Sequence, residues 1–158
     1  MRKLLLFLAL ITIQSDISAS DPNELRYWMA LNIYFEAGNQ SDAGRVAVGL
    51  VTLNRVESWD YPDDVESVVR QGPTYSNWQG RVWPVKHMCQ FSWYCDGKPD
   101  VPEDSKTWME CLALAEQILY GTYDFTEGAT HYHNDSVHPY WADHLTHVVT
   151  IDNHIFYK

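Results

Sequence analysis

In the stretch LNIYFEAGNQ (residues 31–40) a single carboxylate, Glu36, stands among apolar neighbours. At the helical advance of about 100° per residue, Leu25, Met29, Asn32 and Glu36 fall within roughly 60° of one another, with Trp28 and Ile33 on the flanks. Glu36 therefore belongs to the apolar stripe and not to the wet face. A carboxyl walled by Trp28, Met29 and Phe35 loses hydration, which disfavours its ionised form and raises its pKa. A carboxyl that stays protonated near neutral pH is a general acid suited to a poor leaving group such as a glycosidic oxygen. The structural alternative is a Glu36 carboxylate that accepts a hydrogen bond from Asn54 or Arg55 on the next helix, and the pattern alone leaves both readings open.

A second set of reactive side chains lies late in the chain. All seven histidines occur at or beyond His87, five of them between His131 and His147. The spacing HYH puts His131 and His133 on one face of a strand, which is a two-ligand start for zinc. A third ligand is not evident, and neither a C-x-x-C pair nor an H-x-x-E-H cluster occurs, so neither a metal nor any other cofactor is expected.

These residues need elements to hold them. DPNELRYWMALNIYFEAGN opens with Asp21 as N-cap, Pro22 at the first helical position and Glu24 three residues after the cap, and Gly38 ends it. SDAGRVAVGLVTLNRVES predicts a second helix from Ser41 or Asp42, with Gly44, Ala47 and Gly49 small enough to let another backbone come close. A short helix capped by Asp63 or Asp64 follows. Residues 72–102 are rich in Pro, Gly, Trp and Tyr without periodicity and read as a long ordered loop, a length that is usually functional. PEDSKTWMECLALAEQILYG gives a further helix with Trp108, Cys111, Leu112, Ala115, Ile118 and Leu119 on one side, ended by Gly121. ATHYHN (129–134) alternates, and THVVTIDNHIFYK (146–158) reads as two β runs around Asp152 and Asn153. The expected class is α+β, with three to four helices followed by a small antiparallel sheet.

At 158 residues, 46% hydrophobic and 14% aromatic, one domain with its own core is expected. A net charge of −10 without a basic run after Lys3 excludes a nucleic-acid backbone as partner and disfavours an anionic membrane surface. Arg2 and Lys3, the apolar LLLFLALITI (4–13) and the small-residue SAS (18–20) read as a signal peptide over residues 1–20, an uncleaved anchor being the alternative. Export permits disulfides. Cys89 and Cys95 are close enough to staple a loop, and Cys111, inside a helical pattern, reads as a buried free thiol.

Four separated blocks, LNIYFEAGNQSDAGRVAVGLVTLNRV (31–56), CQFSWYCDGK (89–98), GATHYHN (128–134) and IDNHIFYK (151–158), resemble the spore-cortex-lytic (SleB-like) family of bacterial and phage cell wall hydrolases. The resemblance runs in order from about Tyr27 to Lys158. It implies a lysozyme-related catalytic domain over residues 21–158 that acts on peptidoglycan glycan strands, with Glu36 matching the family's catalytic glutamate. A separate N-terminal wall-binding domain like that of the spore enzymes is not expected, and the cysteine bracket is more like members from Gram-negative bacteria and their phages. Specificity for modified spore cortex is therefore not carried over.

A glycan chain requires aromatic faces for its rings and polar groups for its N-acetyl substituents. Tyr75, Trp78, Gln90, Phe91, Ser92, Trp93, Tyr132, His133, Asn134, Tyr140 and Trp141 are the candidates, of which Gln90, Ser92, His133 and Asn134 lie in the family-like blocks, as does Asn54. The remaining acidic residues fall in turns and solvated caps, so a two-carboxylate glycosidase is disfavoured. The expected reaction is cleavage of the bond between N-acetylmuramic acid and N-acetylglucosamine by one glutamate, as in a lytic transglycosylase. Muramidase-type hydrolysis, a metal-dependent N-acetylmuramoyl-L-alanine amidase and a non-catalytic glycan-binding module are the alternatives. A monomer, exported to the periplasm or wall, is expected.

Overall fold

A computed structural model describes residues 21–158. The signal peptide expected over residues 1–20 lies outside the described residues. Helix α1 (Pro22–Ala37) begins as its sequence predicts: the Asp21 carboxylate accepts from the Asn23 amide at 2.9 Å, and Pro22 needs no intrahelical donor there. Helix α2 (Asp42–Glu57) is capped by Ser41 and α3 (Val65–Val69) by Asp64. Helix α4 (Ser105–Leu119) is capped by Asp104 and ends where Gly121 takes a positive φ of 108°.

Helix α1 is the centre of the core. Met29, Ala30 and Ile33 are fully buried against Leu50 of α2, Val65, Val68 and Val69 of α3, and Cys111, Ala115 and Ile118 of α4. Gly49 allows this packing, because an added Cβ there would meet Ile118 Cδ1 at 2.5 Å and Ile33 Cδ1 at 3.1 Å. The neighbours at Gly44 and Gly49 are thus side chains and not the second backbone that the small residues led us to expect. Among the described residues no helix is long and apolar enough to cross a membrane.

The reading of residues 72–102 as a loop without elements needs correction. Strands β1 (Thr74–Ser76) and β2 (Val82–Pro84) form a hairpin, and Ser92–Cys95 forms a 3-10 turn. The hairpin is solvated on both faces, so no apolar alternation marks it in the sequence. Cys89 and Cys95 are joined in a disulfide around the 3-10 turn, and Cys111 is a buried free thiol pushed up to about 11 by burial.

Helix α2 is buried on two sides. Val46 and Leu50 face the helical core, while Ala47 and Val51 join Ala129 and Phe156 in a second cluster beneath the main sheet. That sheet contains β3 (His131–Asn134), β4 (His147–Ile151) and β5 (His154–Tyr157) in the antiparallel order β3-β5-β4. The β4–β5 turn pivots on Asp152, with φ 51°. The Asp152 carboxylate accepts from the Ser41 amide at 3.0 Å and from its hydroxyl at 2.7 Å, pinning this turn to the start of α2.

Candidate active site

The last turn of α1 delivers Glu36 to the junction of α1, α2 and β3. Tyr132, in β3, donates its hydroxyl to Glu36 Oε2 at 2.8 Å across 96 residues of sequence. Its position follows from register, since Tyr132 pairs with Phe156, the residue that anchors the sheet on α2. Burial raises the Glu36 pKa above its usual 4.5, against the opposing pull of the Tyr132 hydrogen bond and the positive charge of Arg55. The tyrosine in turn is held well above its ordinary value by burial and by the neighbouring glutamate.

Arg55 completes this group from α2. It is 5% exposed, donates Nε to the Thr130 carbonyl at 2.8 Å, and lies between two rings, 5.1 Å from Tyr61 and 5.0 Å from Phe91. Its Nη1 is buried without a hydrogen-bond partner among the described residues. Burial lowers its pKa, countered by Tyr61, Tyr132 and Glu36. His131 lies beside it, its pKa lowered by burial and by the Arg55 charge. Arg55 is thus a cation near Glu36 that anchors elsewhere, so the glutamate is not locked as a carboxylate in an ion pair. The structural reading that gave Glu36 a hydrogen bond to Asn54 or Arg55 is replaced by one to Tyr132.

Phe35 and Glu36 diverge by about 100° around the helix. Phe35 stacks on Trp93 with centroids 4.7 Å apart and planes at 21°, and together they wall a cleft of about 600 Å³ that reaches Ser92, Lys98 and Asp100. Glu36 is not part of that wall and faces Tyr132. Trp93 is oriented from behind by a buried relay: its Nε1 donates to Asn32 Oδ1 at 2.9 Å, and Asn32 Nδ2 donates to Thr52 Oγ1 at 2.9 Å. The polar Asn32 in the apolar stripe of α1 is explained by this relay.

The other sequence candidates separate into those at the cleft and those engaged elsewhere. Ser92 is exposed on the cleft rim and Trp93 shows it an edge, whereas Phe91, 2% exposed, is sealed beneath Arg55. Gln90 is exposed, with its backbone amide bonded to the Gln71 carbonyl. Asn54 Nδ2 is engaged by Asp124, Thr126 and the Ala129 carbonyl, which fixes the loop leading into β3. Asn134 Oδ1 closes a local turn on the Ser136 amide. His133 is 7% exposed, and its two ring nitrogens meet the Asn134 carbonyl at 2.9 Å and the Tyr157 hydroxyl at 3.1 Å. Among the described residues, no three His, Cys, Asp or Glu side chains converge in a way that could hold a metal ion.

Two carboxylates extend the sequence reading. Asp124 is partly buried, which raises its pKa, but hydrogen bonds from Thr126, Gly128 and Asn54 hold it below the usual value. Asp100, expected among solvated turns, is half-buried on the cleft, and burial together with Asp96 raises its pKa. Its neighbours Pro99 and Val101 are the only local sign of that setting in the sequence.

The sequence pattern of the family described as Cell Wall Hydrolase matches residues 39–157. This chain belongs to the cell wall hydrolase family. The match begins after Glu36, so the role of that residue rests on the geometry around it. The hydrolase superposes on the catalytic domain of the Bacillus cereus SleB protein with a TM-score of 0.63 at 22% identity, covering 89% of this chain and 94% of that one. It also superposes on the catalytic domain of the germination-specific lytic transglycosylase SleB from Bacillus anthracis, with a TM-score of 0.64, 25% identity and coverage of 89% and 98%. No curated protein matches the chain. The α+β, lysozyme-like fold expected from the sequence is that of these domains. As a cell wall hydrolase the protein is a peptidoglycan-degrading enzyme, and its place of action is extracellular or in the wall.

Proposed function

We propose that this hydrolase is a lytic transglycosylase in which Glu36 is the sole catalytic acid and base. The observation that carries the reading is the Glu36 carboxyl itself, desolvated, oriented by the Tyr132 hydroxyl at 2.8 Å and near Arg55 without being paired to it. In the first step protonated Glu36 gives its proton to the glycosidic oxygen as the bond from muramic C1 breaks. In the second, the glutamate carboxylate takes the proton of the muramic 6-hydroxyl while O6 bonds to C1. No water is consumed, Glu36 regains its proton, and the products are a 1,6-anhydromuramic end and a free 4-hydroxyl. Asp124 is engaged in four hydrogen bonds, which suits a one-carboxylate route. The Bacillus anthracis relative is a lytic transglycosylase, which supports the same chemistry here.

Ser92 and the edge of Trp93 are the proposed contacts to the glycan in the cleft. Residues 1–20 are proposed to be removed on export, leaving a catalytic domain of residues 21–158 that acts as a monomer. To test the bond cleaved, purified peptidoglycan is digested with and without EDTA, and new saccharide ends and new amino groups are both counted. Saccharide ends that form equally with the chelator support the proposal. Release of amino groups that EDTA abolishes would overturn it in favour of an amidase.

The hydrogen bond from Tyr132 favours ionised Glu36, so removing it leaves burial less opposed. Free enzyme must hold Glu36 protonated, and kcat/KM falls as pH rises through that pKa. In Tyr132→Phe the basic limb of the kcat/KM profile is expected to move to higher pH. A limb that stays in place would separate Tyr132 from the ionisation of Glu36.

A further inference from the structure

We infer that the β1–β2 hairpin is a second glycan-binding platform, holding saccharide rings of the same strand outside the cleft beside Glu36. This rests on the peptidoglycan-cleaving function above and extends it from a bond to a longer stretch of polymer.

The hairpin carries its large side chains outward. Trp78 at the tip is 91% exposed, Val82 63%, Tyr75 55% and Trp83 49%. Tyr75 and Trp83 are directly paired across the two strands, so both rings stand on one face. An isolated two-stranded hairpin has little stability of its own, and solvated tryptophans add nothing to its folding. Exposed aromatic groups of this kind mark a binding surface. From Thr74 to Pro84 the only charged side chain is Arg81, which fits an uncharged ligand.

The hairpin is continuous with the cleft already described. A second depression of about 750 Å³ is walled by Trp83 and Thr74 of the hairpin, Glu66 of α3, Arg70 at the C-cap of that helix, and Tyr94 and Asp100. Asp100 walls both depressions, and the adjacent residues Trp93 and Tyr94 face one each. Tyr94 is fixed by a hydrogen bond from Arg70 Nε at 2.8 Å. Flat indole and phenol faces suit the C–H faces of pyranose rings, and Glu66, Arg70 and Asp100 supply partners for hydroxyl and acetamido groups. A strand threading the first cleft therefore meets a matching surface past Asp100.

The test uses the full exported chain carrying Glu36→Gln, so that binding is scored without turnover. Cosedimentation is measured with purified peptidoglycan and with glycan strands stripped of their stem peptides. Adding Trp78→Ala and Trp83→Ala is expected to weaken binding to both by about tenfold, the effect of losing an aromatic contact or two. Trp83→Tyr, which keeps a stacking face, should retain most of the affinity. Binding that stays within twofold would overturn the inference, as would a loss confined to the peptide-bearing polymer. Should Trp83→Ala melt the hairpin, Trp78→Ala alone decides, because Trp78 lies outside the paired strands. A wrong assignment of Glu36 is recognised separately, because the Glu36→Gln protein would then still release soluble fragments from the polymer, whereas the hairpin is scored by pelleted protein at short times on ice.

Discussion

Glu36→Gln is expected to lower the rate of glycan-strand cleavage by about a thousandfold, within the range that a positioned general acid–base contributes. Glutamine keeps the size of the side chain and an oxygen that accepts the Tyr132 hydroxyl, but it can neither give nor take the proton. The fold should therefore survive, and with it binding to peptidoglycan. Stability carries a second signature. Because burial raises the folded-state pKa of Glu36 above 4.5, the folded protein holds this proton more tightly than the unfolded chain does. Its contribution to stability is fully present below the unfolded pKa and is lost as pH rises through the folded one. Glutamine does not titrate, so the variant should gain in melting temperature relative to the wild type as pH is raised from 4 towards neutrality. A variant that loses activity and also melts lower at neutral pH would point to a structural glutamate.

Arg55→Met should have the largest effect on stability. The substitution removes the Nε hydrogen bond to the Thr130 carbonyl and the cation between Tyr61 and Phe91, in a site where the arginine is 5% exposed. A buried hydrogen bond to a charged group and two cation–π contacts together put the cost at about 3 kcal/mol. Methionine fills much of the volume, so the loss is electrostatic more than a cavity. Catalysis should change in a separable way: without the positive charge the Glu36 pKa rises further, moving the basic limb of kcat/KM upward. Arg55→Lys keeps the charge but not the flat fork, and should restore the limb more fully than the melting temperature. Equal recovery of both would show that charge alone is what Arg55 provides.

The helical half of the fold was readable because its signals are local. Asp21, the pair Ser41 and Asp42, and the pair Asp63 and Asp64 announce helix starts, of which Asp21, Ser41 and Asp64 are the caps, and the stripe from Leu25 to Glu36 places a carboxyl among apolar side chains without knowledge of any partner. What surrounds Glu36 comes from far away in sequence. The Tyr132 hydroxyl reaches it only because Phe156 seats the sheet on Ala47 and Val51, a long-range packing choice that no periodicity in β3 reveals. Tyr132 was read from the sequence as a candidate for sugar contact, but not as the hydrogen-bond donor to Glu36. Arg55, one of the two partners that the structural reading left open for Glu36, donates instead to the Thr130 carbonyl and holds the entry to β3. His133 and Asn54 were attractive as free polar groups, yet their hydrogen bonds close on their own surroundings. The hairpin at Thr74–Pro84 was hidden for a different reason: with neither face buried, it has no hydrophobic pattern to show.

The most direct test of Glu36 as the lone acid and base is mass spectrometry of the saccharide ends released from purified peptidoglycan. Intramolecular closure of O6 on C1 leaves a muramic end lighter by one water than the reducing sugar formed by hydrolysis. The wild type is expected to release anhydromuramic ends, and Glu36→Gln to release none. Reducing muramic ends as the primary product, or anhydro ends that persist in the variant, would contradict it.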